Sequence, residues 1–112
     1  MIEALWSVEF STNLGMYGYG VAVFETKRIL GGDSGMTYVG SYEVDHNNII
    51  HCKIHVQKYA DIPDMNSTLG LDDFNLEVTG KVTHEEMNLS GHVVEDTSRQ
   101  INIHAIRRAE LP

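Results

Sequence analysis

The stretch Ile49-Ile50-His51-Cys52-Lys53-Ile54-His55-Val56-Gln57-Lys58-Tyr59, written IIHCKIHVQKY, decides the fold. Ile50, Cys52, Ile54 and Val56 alternate with His51, Lys53, His55 and Gln57. A period of two puts the first set on one face of an extended chain and the second set on the other, as in a half-buried β-strand.

The same period recurs on both sides of this strand. Asp45-His46-Asn47-Asn48 has the residue types of a hairpin turn and leads back to a strand over Met36 to Val44, with Tyr38, Gly40, Tyr42 and Val44 on one face. Further towards the N-terminus, Trp6, Val8 and Phe10 share a face of a first strand. Gly15 and Gly18 permit a turn into a second strand over Tyr19 to Glu25, and Lys27 to Leu30 makes a short third one. Towards the C-terminus, Asp61 to Asp73 contains Pro63, Ser67 and Gly70 and reads as a loop, with room for one short helical turn over Asp64 to Leu69. Three strands follow, with Phe74, Leu76 and Val78, then Met87, Leu89, Gly91 and Val93, then Ile101, Ile103 and Ala105 on their apolar faces. Asp96 to Ser98 supplies the last hairpin connection.

Eight short antiparallel strands in an all-β chain can close into a small barrel or stack as a sandwich. The barrel is the preferred reading, because closure removes the exposed sheet edges and Gly20, Gly40, Gly80 and Gly91 relieve crowding where strands bend. With 112 residues, the chain is expected to form a single domain over residues 1–112.

Charge and composition narrow the classes of function. There are 16 acidic residues against 8 Lys and Arg, a formal charge of −8. Such a surface repels a phosphate backbone, and the only compact basic group is Arg99 with Arg107 and Arg108, so no direct nucleic-acid partner is expected. A basic protein partner is compatible with this charge. Cys52 is the only cysteine, which rules out an intrachain disulfide; between Ile50 and Ile54 it reads as a buried, inert thiol. No apolar run approaches the roughly 18 residues of a membrane-spanning helix, and no secretory leader is evident. The expected setting is therefore cytoplasmic, with no membrane partner.

Gly31-Gly32-Asp33-Ser34-Gly35 contains the Gly-Asp-Ser-Gly run that surrounds many serine nucleophiles. A nucleophilic serine needs a general base, which His51, His55 or His104 would have to supply. In chymotrypsin-like enzymes that serine lies late in a much longer chain, whereas here it is early. The five residues read instead as a turn, in which the glycines supply unusual backbone angles and Asp33 and Ser34 bond to nearby N–H groups. No catalytic residue is assigned. His51 with His55, and His84-Glu85-Glu86, are the only candidates for a metal, and neither belongs to a paired-cysteine, HExxH or EF-hand pattern. Gly15 to Gly20 lacks a dinucleotide or P-loop fingerprint, so no cofactor or metal is expected. Tyr17, Tyr19, Tyr38, Tyr42 and Tyr59 either pack across strands or line a pocket, and a hollow barrel would suit a small apolar ligand.

One longer segment carries a family resemblance. Arg28-Ile29-Leu30-Gly31-Gly32-Asp33-Ser34-Gly35-Met36-Thr37-Tyr38-Val39-Gly40, preceded by Leu5-Trp6-Ser7-Val8-Glu9-Phe10, resembles the GrlR-like negative regulators of bacterial type III secretion. The resemblance runs on through the C-terminal strand. It implies a small calycin-like β-barrel that forms a homodimer and sequesters a transcriptional activator, blocking expression of secretion genes. It also implies a surface loop with an acidic motif, matched here by Val44 to Asn48. Asp45 then becomes the principal contact, Glu43 an assisting one, and His46, Asn47 and Asn48 polar recognition residues.

Overall fold

The computed structural model describes residues 2–62 and 69–112. It consists of β1 (Ala4–Thr12), β2 (Tyr17–Glu25), β3 (Arg28–Gly32), β4 (Met36–Val44), β5 (Ile49–Lys58), β6 (Asp73–Val82), β7 (Glu86–Val93) and β8 (Gln100–Ala109). Each strand pairs antiparallel with the next, and β8 returns to pair with β1 through matches such as Val8 with Ala105 and Phe10 with Ile103. That last pairing closes the barrel and excludes the sandwich. Among the described residues there is no helix. The helical turn expected over 64–69 falls outside the described residues, apart from Leu69, which lies in a turn and is buried.

The period-two pattern sorts the strands as it predicts. Trp6, Ala22, Phe24, Ile29, Tyr42, Ile50, Cys52, Val78 and Met87 are buried inside, and the alternate positions face outwards. Cys52 is a free, buried thiol, and desolvation pushes its pKa up to about 12. Two glycines show why some inward positions carry no side chain. A Cβ on Gly80 would stand 1.8 Å from the Asn88 carbonyl oxygen, and one on Gly91 would stand 1.8 Å from that of Glu77. The sheet coils so tightly there that a neighbouring backbone occupies the space of a side chain.

Up-and-down topology divides the connections between the two ends of the barrel. The turns at 26–27, 45–48 and 83–85 lie at one end with β1's start and β8's end, and the connections 13–16, 33–35 and 94–99, with residues 59–62 and 69–72, lie at the other. At the first end the interior is plugged by aromatic rings. Trp6 meets Phe24 edge-on at 6.2 Å between centroids, and Phe24 packs on Tyr42 at 5.2 Å. Arg107 lies 5.9 Å over the Trp6 ring, and the indole N–H donates to the Ile2 carbonyl at 2.9 Å. With the indole donor satisfied, Trp6 can be wholly buried without a desolvation penalty.

β3 differs from the sequence reading. It starts at Arg28 and runs on through Gly31 and Gly32, which pair with Ala22 and Val21 of β2 and with Tyr38 and Thr37 of β4. The turn itself is therefore confined to Asp33, Ser34 and Gly35. Unusual backbone angles also fall elsewhere: the positive-φ glycines are Gly15 and Gly70, and β2 and β3 are joined by Thr26 (φ 50°) and Lys27 (φ 63°). Two successive residues of this kind make the hairpin turn whose twist matches the strands, and the Glu3 carboxylate holds it by accepting the Thr26 N–H at 2.8 Å.

Candidate functional site

Inward-facing residues near the second end of the barrel do not all become buried. Ile54 lies on the same face of β5 as the buried Cys52 and Val56, and Ile103 lies between the buried Ile101 and Ala105, yet both keep partial exposure. Val8, Phe10, Met36 and Tyr38 do the same. They face a cavity of about 900 Å³ that occupies this half of the barrel and opens beside the 33–35 turn, with Ala60, Ile62, Leu69 and Gly70 also at its lining. Its deep wall is aliphatic and aromatic, with Val8, Ile54, Leu76, Leu89 and Ile103 among its lining residues, and polar side chains occur only towards the mouth.

Glycines and aromatic rings shape that mouth. Phe10 lies across Gly18, where an added Cβ would come within 2.4 Å of the ring, and the Tyr38 hydroxyl occupies the space that a side chain on Gly20 would need. The Phe10 and Tyr38 rings meet edge-on at 6.5 Å. From this position Tyr38 donates its hydroxyl proton to Asp33 Oδ2. Burial first, and the neighbouring Asp33 carboxylate second, push the Tyr38 pKa far above that of an exposed tyrosine.

Asp33 thus joins the rim to the lumen. Its Oδ1 accepts the N–H of Gly35 at 2.9 Å and that of Met36 at 2.8 Å, while its backbone N–H donates to the Met36 carbonyl at 3.0 Å. Its own carbonyl accepts the Tyr59 hydroxyl at 2.8 Å, tying the end of β5 to the turn. The local backbone bonds expected of Asp33 are present. The Tyr38 link was not read from the sequence, although both residues were singled out; the missed signal is that Tyr38 lies on the inward face of the strand the turn leads into.

Ser34 lines the cavity mouth. The three histidines considered as its base hydrogen-bond elsewhere, His51 to Asp45 at 3.3 Å, His55 to Asp73 at 2.6 Å and His104 to Glu86 at 3.0 Å. His51 and His55 do share the outer face of β5, but each has its own carboxylate, and among the described residues no group of three or more His, Cys, Asp or Glu side chains converges. His84 faces Glu85 at 3.3 Å.

Glu43, Asp45, His46, Asn47 and Asn48 come together at the plugged end, opposite the cavity mouth. Glu43, His46, Asn47 and Asn48 are exposed. Asp45 is turned into its own hairpin: Oδ1 accepts the N–H of Asn47 at 2.8 Å and that of Ile49 at 3.2 Å, and Oδ2 faces His51. The Asn47 N–H, with help from His51, holds the Asp45 carboxyl below its ordinary pKa range. Asp96 repeats the device in the last hairpin, accepting the Ser98 N–H at 3.1 Å and pairing with Arg99. Asp33, Asp45 and Asp96 each accept the N–H two residues ahead, which is the Asx-turn geometry.

The tyrosines divide. Tyr38 and Tyr42 point inwards, while Tyr17, Tyr19 and Tyr59 are exposed. On the outer wall, Tyr17, Tyr19, Val21, Leu30 and Val39 are 69%, 71%, 49%, 53% and 52% exposed, and Leu30 pairs with Val23 on one side and Val39 on the other. This apolar strip across β2, β3 and β4 was not read from the sequence, since period two does not distinguish the two faces of a strand whose residues are apolar on both.

No family model and no curated protein matches the chain. Among solved structures, a redesigned beta barrel is similar over 96% of this chain and 91% of its own, with a TM-score of 0.51 and 11% sequence identity. That similarity concerns the fold alone.

The Asp33 geometry makes a specific prediction. Asp33→Ala removes the acceptor of two backbone N–H groups and a buried hydroxyl, and should cost about 1–3 kcal/mol in urea unfolding. Asp33→Asn keeps the Oδ1 acceptor and should recover most of that loss. Equal unfolding midpoints for the wild type and Asp33→Ala would contradict the role assigned to Asp33.

Proposed function

We propose that this chain is a calycin-like binding protein that holds a small apolar molecule in its lumen. The observation that carries the reading is the half-hollow barrel, in which inward-facing Ile54 and Ile103 stay partly exposed to a cavity of about 900 Å³. Small-molecule sites have volumes of roughly 300–1,000 Å³, mostly apolar walls and a few polar groups that fix orientation. The lumen has all three properties. Binding there replaces water against aliphatic wall with ligand, and each buried CH₂ contributes about 0.8 kcal/mol.

The test uses the neutral fluorescent probe N-phenyl-1-naphthylamine and a Val8→Trp/Ile54→Trp/Ile103→Trp triple variant, which narrows the lumen with three indoles at positions that line it. Fluorescence should rise to saturation with the wild type. The variant should bind at least about tenfold more weakly while keeping a cooperative thermal transition, since bulk added at partly exposed lumen positions obstructs the ligand without removing core contacts. Equal binding by both proteins would place the probe on the outer surface and overturn the reading.

A second reading is favoured by the segment Arg28 to Gly40 and its resemblance to GrlR-like regulators. In it the chain is a cytoplasmic, non-enzymatic negative regulator that sequesters a transcriptional activator of secretion genes. Glu43, His46, Asn47 and Asn48 present the polar contact, with Asp45 adding charge while shaping the hairpin. The apolar strip of Leu30 and Val39 with Tyr17, Tyr19 and Val21 supports a homodimer, because a second copy would cover it. Glu43→Lys with Asp45→Asn removes the acidic character and retains the turn acceptor. Capture of the activator by the double variant should fall at least about tenfold with an unchanged melting temperature, as for loss of close interfacial charge pairs. Undiminished capture would eliminate the hairpin as the contact.

A further inference from the structure

The mouth of the lumen constrains what the bound molecule carries at its polar end, an inference that rests on the lumen reading above. Tyr38 spends its only hydroxyl proton on Asp33, and Asp33 already accepts two backbone N–H groups on its other oxygen. The pair that faces the lumen therefore has lone pairs to offer and no proton. The charged groups around it have the same bias. Among the described residues at this end, the carboxylates of Asp33, Asp61, Asp72, Asp73, Glu95 and Asp96 outnumber the cations Lys58 and Arg99, and both cations already have partners. Lys58 Nζ stands 2.7 Å from Asp61 and 3.9 Å from Asp72, and Arg99 contacts Asp96 at 3.1 Å and the Leu69 carbonyl at 2.5 Å.

An anionic head would have to break one of these pairs and sit among surplus carboxylates after losing its own water, a costly exchange. A head that donates a hydrogen bond meets acceptors already held in place by the turn. We propose that the lumen selects apolar molecules ending in a hydrogen-bond donor, an alcohol or an ammonium group, and discriminates against the carboxylate of a fatty acid. Tyr38 is the residue that touches the head, and Asp33 positions it by accepting the hydroxyl's hydrogen bond, which leaves the lone pairs of the Tyr38 oxygen free to accept.

The experiment is competition against N-phenyl-1-naphthylamine at neutral pH by decanol, decylammonium and decanoate, which share one chain and differ in the head. Decanol and decylammonium should displace the dye at concentrations at least about tenfold lower than decanoate, the effect of one well-made hydrogen bond to a charge-linked acceptor pair. Comparing the two effective competitors separates a neutral donor from a cationic one. Tyr38→Phe keeps the ring on Phe10 and Gly20 and removes the acceptor. It should still bind the dye, which reports an intact lumen, and decanol should compete at least about fivefold less well, having lost its hydrogen bond, while decanoate stays weak among the surplus carboxylates. Displacement of the dye from the wild type by decanoate as effective as by decanol, or undiminished competition by decanol in Tyr38→Phe, would overturn the head-group assignment and leave the lumen reading standing. Absence of saturable dye binding to the wild type would overturn the lumen reading, and this inference with it.

Discussion

The pairing of β8 with β1 is the constraint on which the rest of the structure depends. It converts two faces of a sheet into an inside and an outside and commits every inward residue to one shared space. An eight-stranded barrel encloses an interior just wide enough for side chains to fill, so their sizes decide whether it is solid or hollow. Trp6, Phe24 and Tyr42 fill one end. At the other, Gly18 and Gly20 contribute no side chains, the Phe10 ring and the Tyr38 hydroxyl take the space beside them, and the deep wall is largely aliphatic. The same closed sheet is thus a packed core at one end and a container at the other.

The two ends also share one piece of turn chemistry. Asp33 at the mouth and Asp45 at the plugged end each fold a hairpin by accepting the N–H two residues ahead. The consequences differ because of what the second carboxylate oxygen reaches. At Asp33 it is Tyr38 inside the barrel, so the turn sets the hydrogen-bonding character of the lumen. At Asp45 it is His51 on the outer wall, so the hairpin is fixed while its neighbours remain available at the surface. Any change at either aspartate therefore mixes a structural effect with a functional one, and Asn is the substitution that separates them.

Much of the barrel was legible because alternation is a local signal. Ile50, Cys52, Ile54 and Val56 declare an inward face within a single strand, and the same holds for Trp6, Val8 and Phe10. Closure was arguable from the cost of open edges. The cavity was less legible, because alternation reports which way a side chain points and says nothing of whether opposing side chains meet across the interior. Ile54 and Cys52 look alike in sequence, and only the rings facing Cys52's end and the glycines facing Ile54's end distinguish them. The end of β3 was misplaced by two residues because Gly31 and Gly32 read as turn formers, whereas in the sheet they let neighbouring strands approach: a Cβ on Gly31 would stand 2.2 Å from the Val21 carbonyl oxygen of β2, and one on Gly32 2.7 Å from the Met36 carbonyl oxygen of β4. In GGDSG the aspartate, more than the serine, proved to be the residue with structural reach.

One half of the barrel is hollow and apolar while the other is packed. Crystals of the protein pressurised with xenon distinguish the two halves, since apolar cavities stay dry and take up the gas. Ordered xenon should appear between Ile54, Leu76 and Ile103 and none among Trp6, Phe24 and Tyr42. Side chains meeting across the lumen with no xenon between them would contradict that division.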